Sequence, residues 1–232
     1  MKINLTIRMK MNASLVGEGA RVADVGCDHG YVAIWLVNEK HCPFVVASDV
    51  NEGPLRRAKK NIEASGLSEV IDTRLGDGLS VLEPREVDTI LIAGMGGMSI
   101  CEILSSEPGV LSNIETLVLQ PQSDVEEVRR HLHKLGFRID RESICMEDGK
   151  YYFTIRAVQG AEEKPYTDTE YRFSRLLAEE GGTVFRSYMR SVTDKLADLL
   201  KTLELPDMDL GERAMERKQE LEQELKELRG NF

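Results

Sequence analysis

The chain lacks the features of a secreted, disulfide-bonded or membrane-spanning protein. It has four isolated cysteines and no C-x-x-C pair, which is typical of buried, reduced thiols: Cys27, Cys42, Cys101 and Cys145. No run approaches the roughly eighteen apolar residues of a membrane span, and no charged-then-apolar leader begins the chain. We therefore expect a soluble protein of the cytoplasm without a membrane partner.

Positive charge is also scarce, since the formal net charge is −10. A strongly acidic chain is a poor ligand for nucleic acids as a whole, but two local clusters of basic residues depart from that average. The first contains Arg56, Arg57, Lys59 and Lys60, and the second contains Arg129, Arg130, Lys134, Arg138 and Arg141. Either cluster could dock on phosphates or form an ordinary solvated helix face, and charge alone leaves both open.

The order of apolar runs predicts an α/β fold. Apolar β-rich segments alternate with helical patterns as far as about Val158. Strands are predicted at residues 21–25, 44–49, 71–75, 89–93, 116–120, 138–146 and 151–158, and helices at residues 5–15, 31–38, 51–65, 97–105 and 124–135. Five βα units and a closing hairpin at Asp148-Gly149 predict a Rossmann-like, seven-stranded sheet that is mostly parallel, with an antiparallel final strand.

The chain after Gly160 has no strand pattern. Apolar residues recur there at spacings of three and four, which predicts amphipathic helices. They are Phe185, Tyr188, Val192, Leu196, Leu199 and Leu203 between residues 183 and 205, and Ala214, Leu221, Leu225 and Leu228 from residue 211 onward. The second set has heptad-like spacing. We expect a Rossmann-like domain over residues 1–160 and a small all-α, coiled-coil-like domain over residues 161–232, with one shorter helix before two long antiparallel ones.

Residues 22–31, VADVGCDHGY, predict a cofactor-binding loop. The strand ends at Asp24 and is followed by Gly26 and Gly30, the strand–glycine–helix joint with which doubly wound sheets hold adenosine-bearing cofactors. Asp28 stands where a dinucleotide site would have its second glycine, and a carboxylate there would repel a pyrophosphate. The same carboxylate suits a cationic amino-acid group such as the methionine end of S-adenosylmethionine. The loop is therefore typical of a methyltransferase.

Acids and glycines also follow the next three predicted strands. Asp49 can bridge both ribose hydroxyls, Asp77 can accept a hydrogen bond from an adenine amino group or cap a helix, and AGMGG follows at residues 93–97. Because parallel strands end at one sheet edge, we predict one S-adenosylmethionine site in a class I methyltransferase domain. The residues predicted to bind the cofactor are Asp24, Gly26, Cys27, Asp28, His29, Gly30, Tyr31, Asp49, Val50, Asp77, Gly78, Ala93, Gly94, Met95 and Gly96.

The fourth loop limits the methyl acceptor. Enzymes that methylate exocyclic base amines commonly have Asn/Asp-Pro-Pro-Tyr/Phe there, whereas GMGG offers only backbone groups and Met95 as a flexible apolar wall. The chain has no Pro-Cys nucleophile, which disfavours chemistry at carbon 5 of pyrimidines. An acceptor with its own lone pair remains, such as adenine N1, which needs alignment with the methyl group and no base.

Groups that could position the acceptor base follow the first and fifth predicted strands. Asp28 and Gln120 are the catalytic candidates, although Asp28 could equally bind the cofactor and Gln120 could simply end a strand. Further polar residues of these loops are His29, Tyr31 and Gln122. His131 and His133 are two residues apart on a predicted helix and face different directions, so no metal is expected.

The motifs VADVGCDHGY, AGMGGMSI, LVLQPQ and EDGKYY, in this order and ahead of a helical tail, closely resemble the bacterial tRNA adenine-22 N1-methyltransferase family. The resemblance covers essentially the whole chain. It implies S-adenosylmethionine as the donor and N1 of adenine 22, in the D-arm region of tRNA, as the acceptor. The chain differs from the family at Cys27 and Gly30, where serine and alanine are common, and at Gln122, where asparagine is expected.

The resemblance also implies that the target base is extruded from folded tRNA before transfer. Phosphate contacts are then expected from Arg8, Lys10, Arg56, Arg57, Lys59 and Lys60. We expect a monomer or a weak dimer. Two alternatives are a methyltransferase of the same fold that acts on a small molecule or protein, and a non-catalytic module that only binds the cofactor.

Overall fold

The computed structural model of the chain describes residues 3–203 and 212–231. Its strands are β1 (Arg21–Val25), β2 (Phe44–Asp49), β3 (Ile71–Leu75), β4 (Thr89–Met95), β5 (Thr116–Pro121), β6 (Phe137–Glu147) and β7 (Lys150–Gln159). Its helices are α1 (Ile7–Ser14), α2 (Tyr31–Lys40), α3 (Glu52–Ala64), α4 (Gly97–Ser106), α5 (Pro108–Leu111), α6 (Val125–Lys134), α7 (Asp168–Phe173), α8 (Arg175–Glu180), α9 (Thr183–Leu203) and α10 (Glu212–Asn231).

The strands of the described residues form one seven-stranded sheet in the order β3-β2-β1-β4-β5-β7-β6. The first five strands in this order are parallel, and β7 runs antiparallel to both of its neighbours. The predicted fold class, a mostly parallel sheet with an antiparallel final strand, is confirmed. Strand order reverses at β1, which has β2 on one side and β4 on the other. Sheets of this kind bind ligands outside the carboxyl ends of the strands at such a point.

One predicted connection is confirmed and another is wrong. Asp148 and Gly149 join β6 to β7 with φ angles of 49° and 75°, and a two-residue hairpin turn requires this conformation. The prediction of five βα units is wrong because β3 passes to β4 without a helix. Residues 76–88 instead form turns, in one of which Ser80 N donates to Asp77 O at 3.1 Å. Asp77 therefore lies in a turn and does not cap a helix.

Apolar side chains cover both faces of the sheet. Along β1, Ala23 belongs to one buried cluster and Val22 to the other, because successive strand residues point to opposite faces. Residues of α4, α5 and α6 complete the first cluster, and residues of α1, α2 and α3 complete the second. Since both faces are covered, the strand ends are the part of the sheet that is left for ligands.

The chain divides into two units, Met1–Leu176 and Leu177–Phe232. Within the second unit, α9 and α10 contact each other. The apolar residues they bury are Phe185, Met189, Leu200, Leu221 and Leu228. The helical character of the C-terminal part is confirmed, although two short helices, α7 and α8, precede the long pair where one was predicted. The predicted helix ends at residues 205 and 211 lie outside the described residues, as do the side chains of Leu203 and Ala214.

In the described part of the chain, no helix combines the length and the apolar character needed to cross a membrane.

Candidate active site

A cleft of about 530 Å³ opens at the carboxyl ends of the parallel strands. The loops that follow β1, β2, β3 and β4 all reach it, as do one face of α1 and the end of β5. The predicted cofactor-binding residues that line it are Asp24, Gly26, Cys27, Asp28, Asp49, Val50, Asp77, Gly78, Ala93, Gly94 and Met95. The strand ends thus bring together residues that are up to 71 positions apart in the sequence, from Asp24 to Met95.

The first loop turns sharply at Gly26, which has a φ of 77°. The backbone N–H groups of Gly26 and Cys27 both donate to the carbonyl oxygen of Ser48, each at 2.9 Å, so the loop is tied to the end of β2. A Cβ atom on Gly26 would overlap the Cε atom of Met95. Glycine is therefore required here twice, for its conformation and for the close approach of the fourth loop.

Asp24 is a buried carboxylate with one oxygen left unpartnered. The residue is 5% exposed, and its Oδ2 has no hydrogen-bond partner among the residues that the structure describes. Burial raises the Asp24 pKa to about 7, assisted by the charge of Asp49 and opposed by a hydrogen bond from the backbone of Ala33. A buried oxygen without a partner is costly. In an open cleft it suits a cationic donor of a ligand, such as the ammonium of an amino acid.

Asp49 and Asp77 continue this acidic row along the sheet edge. Asp49 is 8% exposed, and its Oδ1 accepts the backbone N–H of Asn51 at 2.8 Å, which holds the carboxylate at the end of β2. Asp77 is exposed in the turn after β3. Because neighbouring strands are about 5 Å apart, the two acids lie roughly one and two strand spacings from Asp24.

Asp28 lies at the cleft in a left-handed conformation, with a φ of 46°. Its Oδ1 is 3.4 Å from Arg57 Nη2, and its Oδ2 is 3.5 Å from His29 Nε2. The predicted base-positioning acid is therefore paired with a predicted phosphate ligand. This pair joins α3 to the first loop.

Four predicted cofactor-binding residues lie outside the lining of the cleft: His29, Gly30, Tyr31 and Gly96. The rings of His29 and Tyr31 stack with their centroids 5.4 Å apart. Gly30 precedes α2, and a Cβ atom there would lie 3.1 Å from Ala58 Cβ, so this glycine allows α3 to approach. Gly96 is the N-cap residue of α4.

Gln120 and Arg8 meet at the β5 end of the cleft. Gln120 is fully buried, its Nε2 donates to Pro121 O at 2.9 Å, and its Oε1 accepts from Arg8 Nη1 at 3.4 Å. The backbone N–H of Arg8 donates to Glu147 Oε1 at 3.2 Å. Its guanidinium lies 4.8 Å from the centre of the Tyr152 ring. Among the described residues, Arg8 is the single cationic residue of the cleft lining, inside the site and not on an outer surface.

Most of the α1 face was missed by sequence reasoning. Arg8, Met9 and Asn12 line the cleft, and their spacing of one and four residues places them on one side of a helix. Asn12 is 2% exposed and accepts a hydrogen bond from Thr154 Oγ1 at 2.6 Å. A polar residue within an otherwise apolar helix face was the available signal. The other lining residues that were not predicted are Val25, Val32, Ser48, Asn51, Gly76 and Ile103.

The two basic clusters differ in exposure. The predicted phosphate ligands that are exposed and have no role in the cleft are Lys10, Arg56, Lys59 and Lys60. In the second cluster, Arg129 is fully buried and donates from Nε to Glu142 Oε1 at 2.9 Å, and Arg130 pairs with Glu126 at 2.7 Å. Arg129 therefore belongs to the core and cannot reach a phosphate. Within residues 3–203 and 212–231, no group of three or more His, Cys, Asp or Glu side chains could hold a metal ion.

Known proteins similar to this chain share its length and fold. The sequence model of a family described as tRNA (adenine(22)-N(1))-methyltransferase matches residues 22–230. The tRNA (adenine(22)-N(1))-methyltransferase of Bacillus subtilis (strain 168) is 35% identical over 188 residues, which are 79% of this chain and 79% of the relative.

Two solved structures superpose on nearly the whole chain. One is the Streptococcus pneumoniae protein Sp1610 in complex with S-adenosyl-L-methionine, with a TM-score of 0.86 and 34% identity over 98% of this chain and 99% of that one. The other is the Bacillus subtilis m1A22 tRNA methyltransferase, with a TM-score of 0.87 and 29% identity over 99% of each chain.

Proposed function

This chain belongs to the tRNA (adenine(22)-N(1))-methyltransferase family, and on that premise we propose that its cleft transfers a methyl group from S-adenosylmethionine to N1 of adenine 22 in tRNA. The observation that carries this function is the row of carboxylates along the sheet edge, Asp49 and Asp77 beside the unpartnered oxygen of Asp24. A ligand with an ammonium group, a ribose and an adenine amino group, in that order, matches this row.

The residues of the cleft fit the cofactor. Asp24 Oδ2 receives the ammonium, Asp49 accepts from the ribose hydroxyls, and Asp77 accepts from the adenine amino group. The missing side chain of Gly26 lets the backbone pass close to the bound molecule. When bound, the cofactor supplies a methyl group on a positively charged sulfur.

The acceptor nitrogen needs no base. N1 of adenine attacks with its own lone pair, and the new carbon–nitrogen bond forms while the carbon–sulfur bond breaks with its electron pair kept by sulfur. The positive charge moves to the adenine, and no proton has to leave during this step. The protein contributes alignment of the two reactants and exclusion of water. Gly94 and Met95, which line the cleft between donor and acceptor, are suited to this because they bring no competing nucleophile.

The substrate is presented as an extruded base in a folded tRNA. The exposed cations Lys10, Arg56, Lys59 and Lys60 hold phosphates, with Arg57 released from Asp28 or shared with it. Because such contacts displace counterions, the affinity for tRNA falls steeply with salt although the protein is acidic overall. We place the enzyme in the cytoplasm, as a monomer or weak dimer.

The test is methyl transfer from labelled cofactor to bulk tRNA, followed by digestion to nucleosides. The expected product is labelled 1-methyladenosine, and a tRNA with guanosine at position 22 should give none. Titration calorimetry with the cofactor runs beside it, because a non-catalytic binding module would bind the cofactor and transfer nothing. Label that appears in proteins or small molecules of an extract, but not in tRNA, contradicts the proposed substrate.

A further inference from the structure

The strand order divides the cleft into a donor half and an acceptor half. The carboxylates that suit the cofactor follow β3, β2 and β1, on one side of the point where strand order reverses. On the other side, β4 and β5 extend the edge by about 10 Å. The lining there changes from acids to Gln120, Arg8 and the backbone of the fourth loop. The acceptor nucleotide therefore belongs at the β4–β5 end.

Two glutamines lie at this end in different states. Gln120 is fully buried, and its Nε2 is used by Pro121 O. The side chain of Gln122 is exposed, while its backbone N–H donates to Met95 O at 2.8 Å and holds the residue beside the fourth loop. Gln122 Nε2 would lie 4.0 Å from a Cβ atom on Gly94. The Gln122 carboxamide thus stands at the mouth of the cleft, next to its lining.

The orientation of the Gln122 amide is set by a short relay of hydrogen bonds. Arg8 Nη1 donates to Gln120 Oε1 at 3.4 Å, and Gln122 Nε2 donates to the same oxygen at 3.4 Å. Arg8 in turn is held by Glu147 and by the ring of Tyr152. Because the oxygen of Gln120 faces Gln122, it is the nitrogen of Gln122 that turns inward to Gln120.

A primary amide has two N–H groups and one oxygen. One N–H of Gln122 is used by Gln120, and the other lies beside Oε1 as an adjacent donor–acceptor pair. This pair matches adenine, whose N7 accepts and whose N6 donates, and glutamine binds adenine in this bidentate way in major grooves. Guanine presents two acceptors, N7 and O6, at the same positions, so Oε1 would face O6 without a hydrogen.

We propose, resting on the function above, that Gln122 recognises the target adenine through N6 and N7 and leaves N1 free to face the methyl group. Arg8 and Gln120 are positioning residues that orient Gln122. Recognition through this edge explains how one base can be gripped firmly while its reactive nitrogen stays without a hydrogen-bond partner.

The test is a substrate change matched to a protein change. A tRNA with 7-deazaadenosine at position 22 keeps N1 and N6 but has C–H in place of N7. We expect kcat/KM of the wild-type enzyme to fall about tenfold on this tRNA, within the fivefold to hundredfold range typical of a bidentate base contact. Gln122→Ala should fall by a similar factor on unmodified tRNA, and by little more on the 7-deaza tRNA, because both changes remove the same contact.

Two controls accompany the cycle. Asn38→Ala removes an exposed carboxamide from the far end of α2 and should leave kcat/KM unchanged on both tRNAs. Calorimetry should give Gln122→Ala the cofactor affinity of the wild type, which shows that its donor half is intact. Arg8→Lys should lower kcat and leave the KM for the cofactor unchanged.

Equal rates of the wild type on both tRNAs would overturn the assignment of Gln122, as would a full additional loss when both changes are combined. In either case the proposed function stands as long as the wild type forms 1-methyladenosine at position 22 of unmodified tRNA. If it forms none, both inferences fail together.

Discussion

Two buried carboxylates of the first unit are handled in opposite ways. Glu142, 4% exposed, accepts from Arg129 Nε through Oε1 at 2.9 Å and from Ser174 Oγ through Oε2. Asp24 is just as buried, but its Oδ2 has no partner in the described part of the chain, and its pKa is raised to about 7. A buried charge that the fold itself pairs is structural, whereas one left unpaired in a cleft marks where a ligand binds.

The Glu142 site also shows what a paired charge does for the fold. Arg129 Nη1 donates to the carbonyl oxygens of Tyr171 and Arg172 at 2.7 and 3.2 Å, so one guanidinium joins α6, β6 and α7. The segment after the last strand is thereby fastened to the first unit by a buried cation. No such fastening uses Asp24, which lies at the open end of β1.

Removing one partner of the paired site should have the largest effect on stability. Glu142→Gln leaves the Arg129 charge uncompensated in the core, and we expect a loss of about 3 kcal/mol in the free energy of unfolding. Urea unfolding measures it. The double variant Arg129→Met/Glu142→Leu should lose clearly less than the single variant, since no charge remains buried. A double variant that is less stable than Glu142→Gln would contradict the pairing argument.

The same kind of change at the unpaired site should leave stability intact and abolish binding. Asp24→Asn removes a carboxylate that burial penalises, so the free energy of unfolding of the ligand-free protein should not fall. Cofactor affinity should drop about a hundredfold, because the ammonium of the cofactor then lacks its counter-charge. Calorimetry and urea unfolding on the same preparation separate the two effects. Wild-type affinity in Asp24→Asn would remove Asp24 from the cofactor site.

Gly26→Ala should cost stability next to the unpaired carboxylate. With a φ of 77°, alanine is forced into the left-handed region, and its Cβ must displace Met95. We expect a loss of roughly 2 kcal/mol, measured by urea unfolding. Gly109→Ala is the matched control, since Gly109 lies within α5 and a Cβ there has nothing within 4 Å. Equal stability of the two variants would show that the loop relaxes freely.

The smallest expected effect is the pH dependence of cofactor binding. The Asp24 pKa is raised from 3.8 to about 7, so the ligand-free protein holds a proton there that the unfolded chain has lost. Its contribution to stability is therefore present at low pH and is lost as pH rises through this range. The ammonium needs the ionised carboxylate, and cofactor affinity should rise about tenfold from pH 6 to pH 8. Calorimetry across this range should give a flat profile for Asp24→Asn.

Much of the fold followed from local patterns. Every predicted strand exists, with bounds that agree to within two residues, because alternating apolar runs have few other ways to be buried. The missing helix between β3 and β4 could not be inferred from a strand count. The turns of residues 76–88 have no periodic pattern, and the parallel pairing of β3 beside β2, with β4 across β1, is a long-range outcome.

The acidic residues of the site were accessible to sequence reasoning, and the amide end was only partly so. Asp24, Asp49 and Asp77 each end or follow a strand, and parallel strands must present their ends at one edge. Arg8 looked like a phosphate ligand because it is basic and near the start of the chain. Its contact with Gln120, 112 residues away, depends on where α1 packs.

The sequence by itself determined the strand ends, the glycine turns and the order of the acids, since these follow from residue type and short-range periodicity. Tertiary structure alone decided which buried charge is paired. Arg129 and Glu142 meet because α6 lies against β6, and Asp24 stays unpaired because no cation of the described residues packs within reach of its Oδ2. The difference between a structural anchor and a binding site is thus a property of packing, in which desolvation penalises both carboxylates alike and only proximity to a partner offsets it.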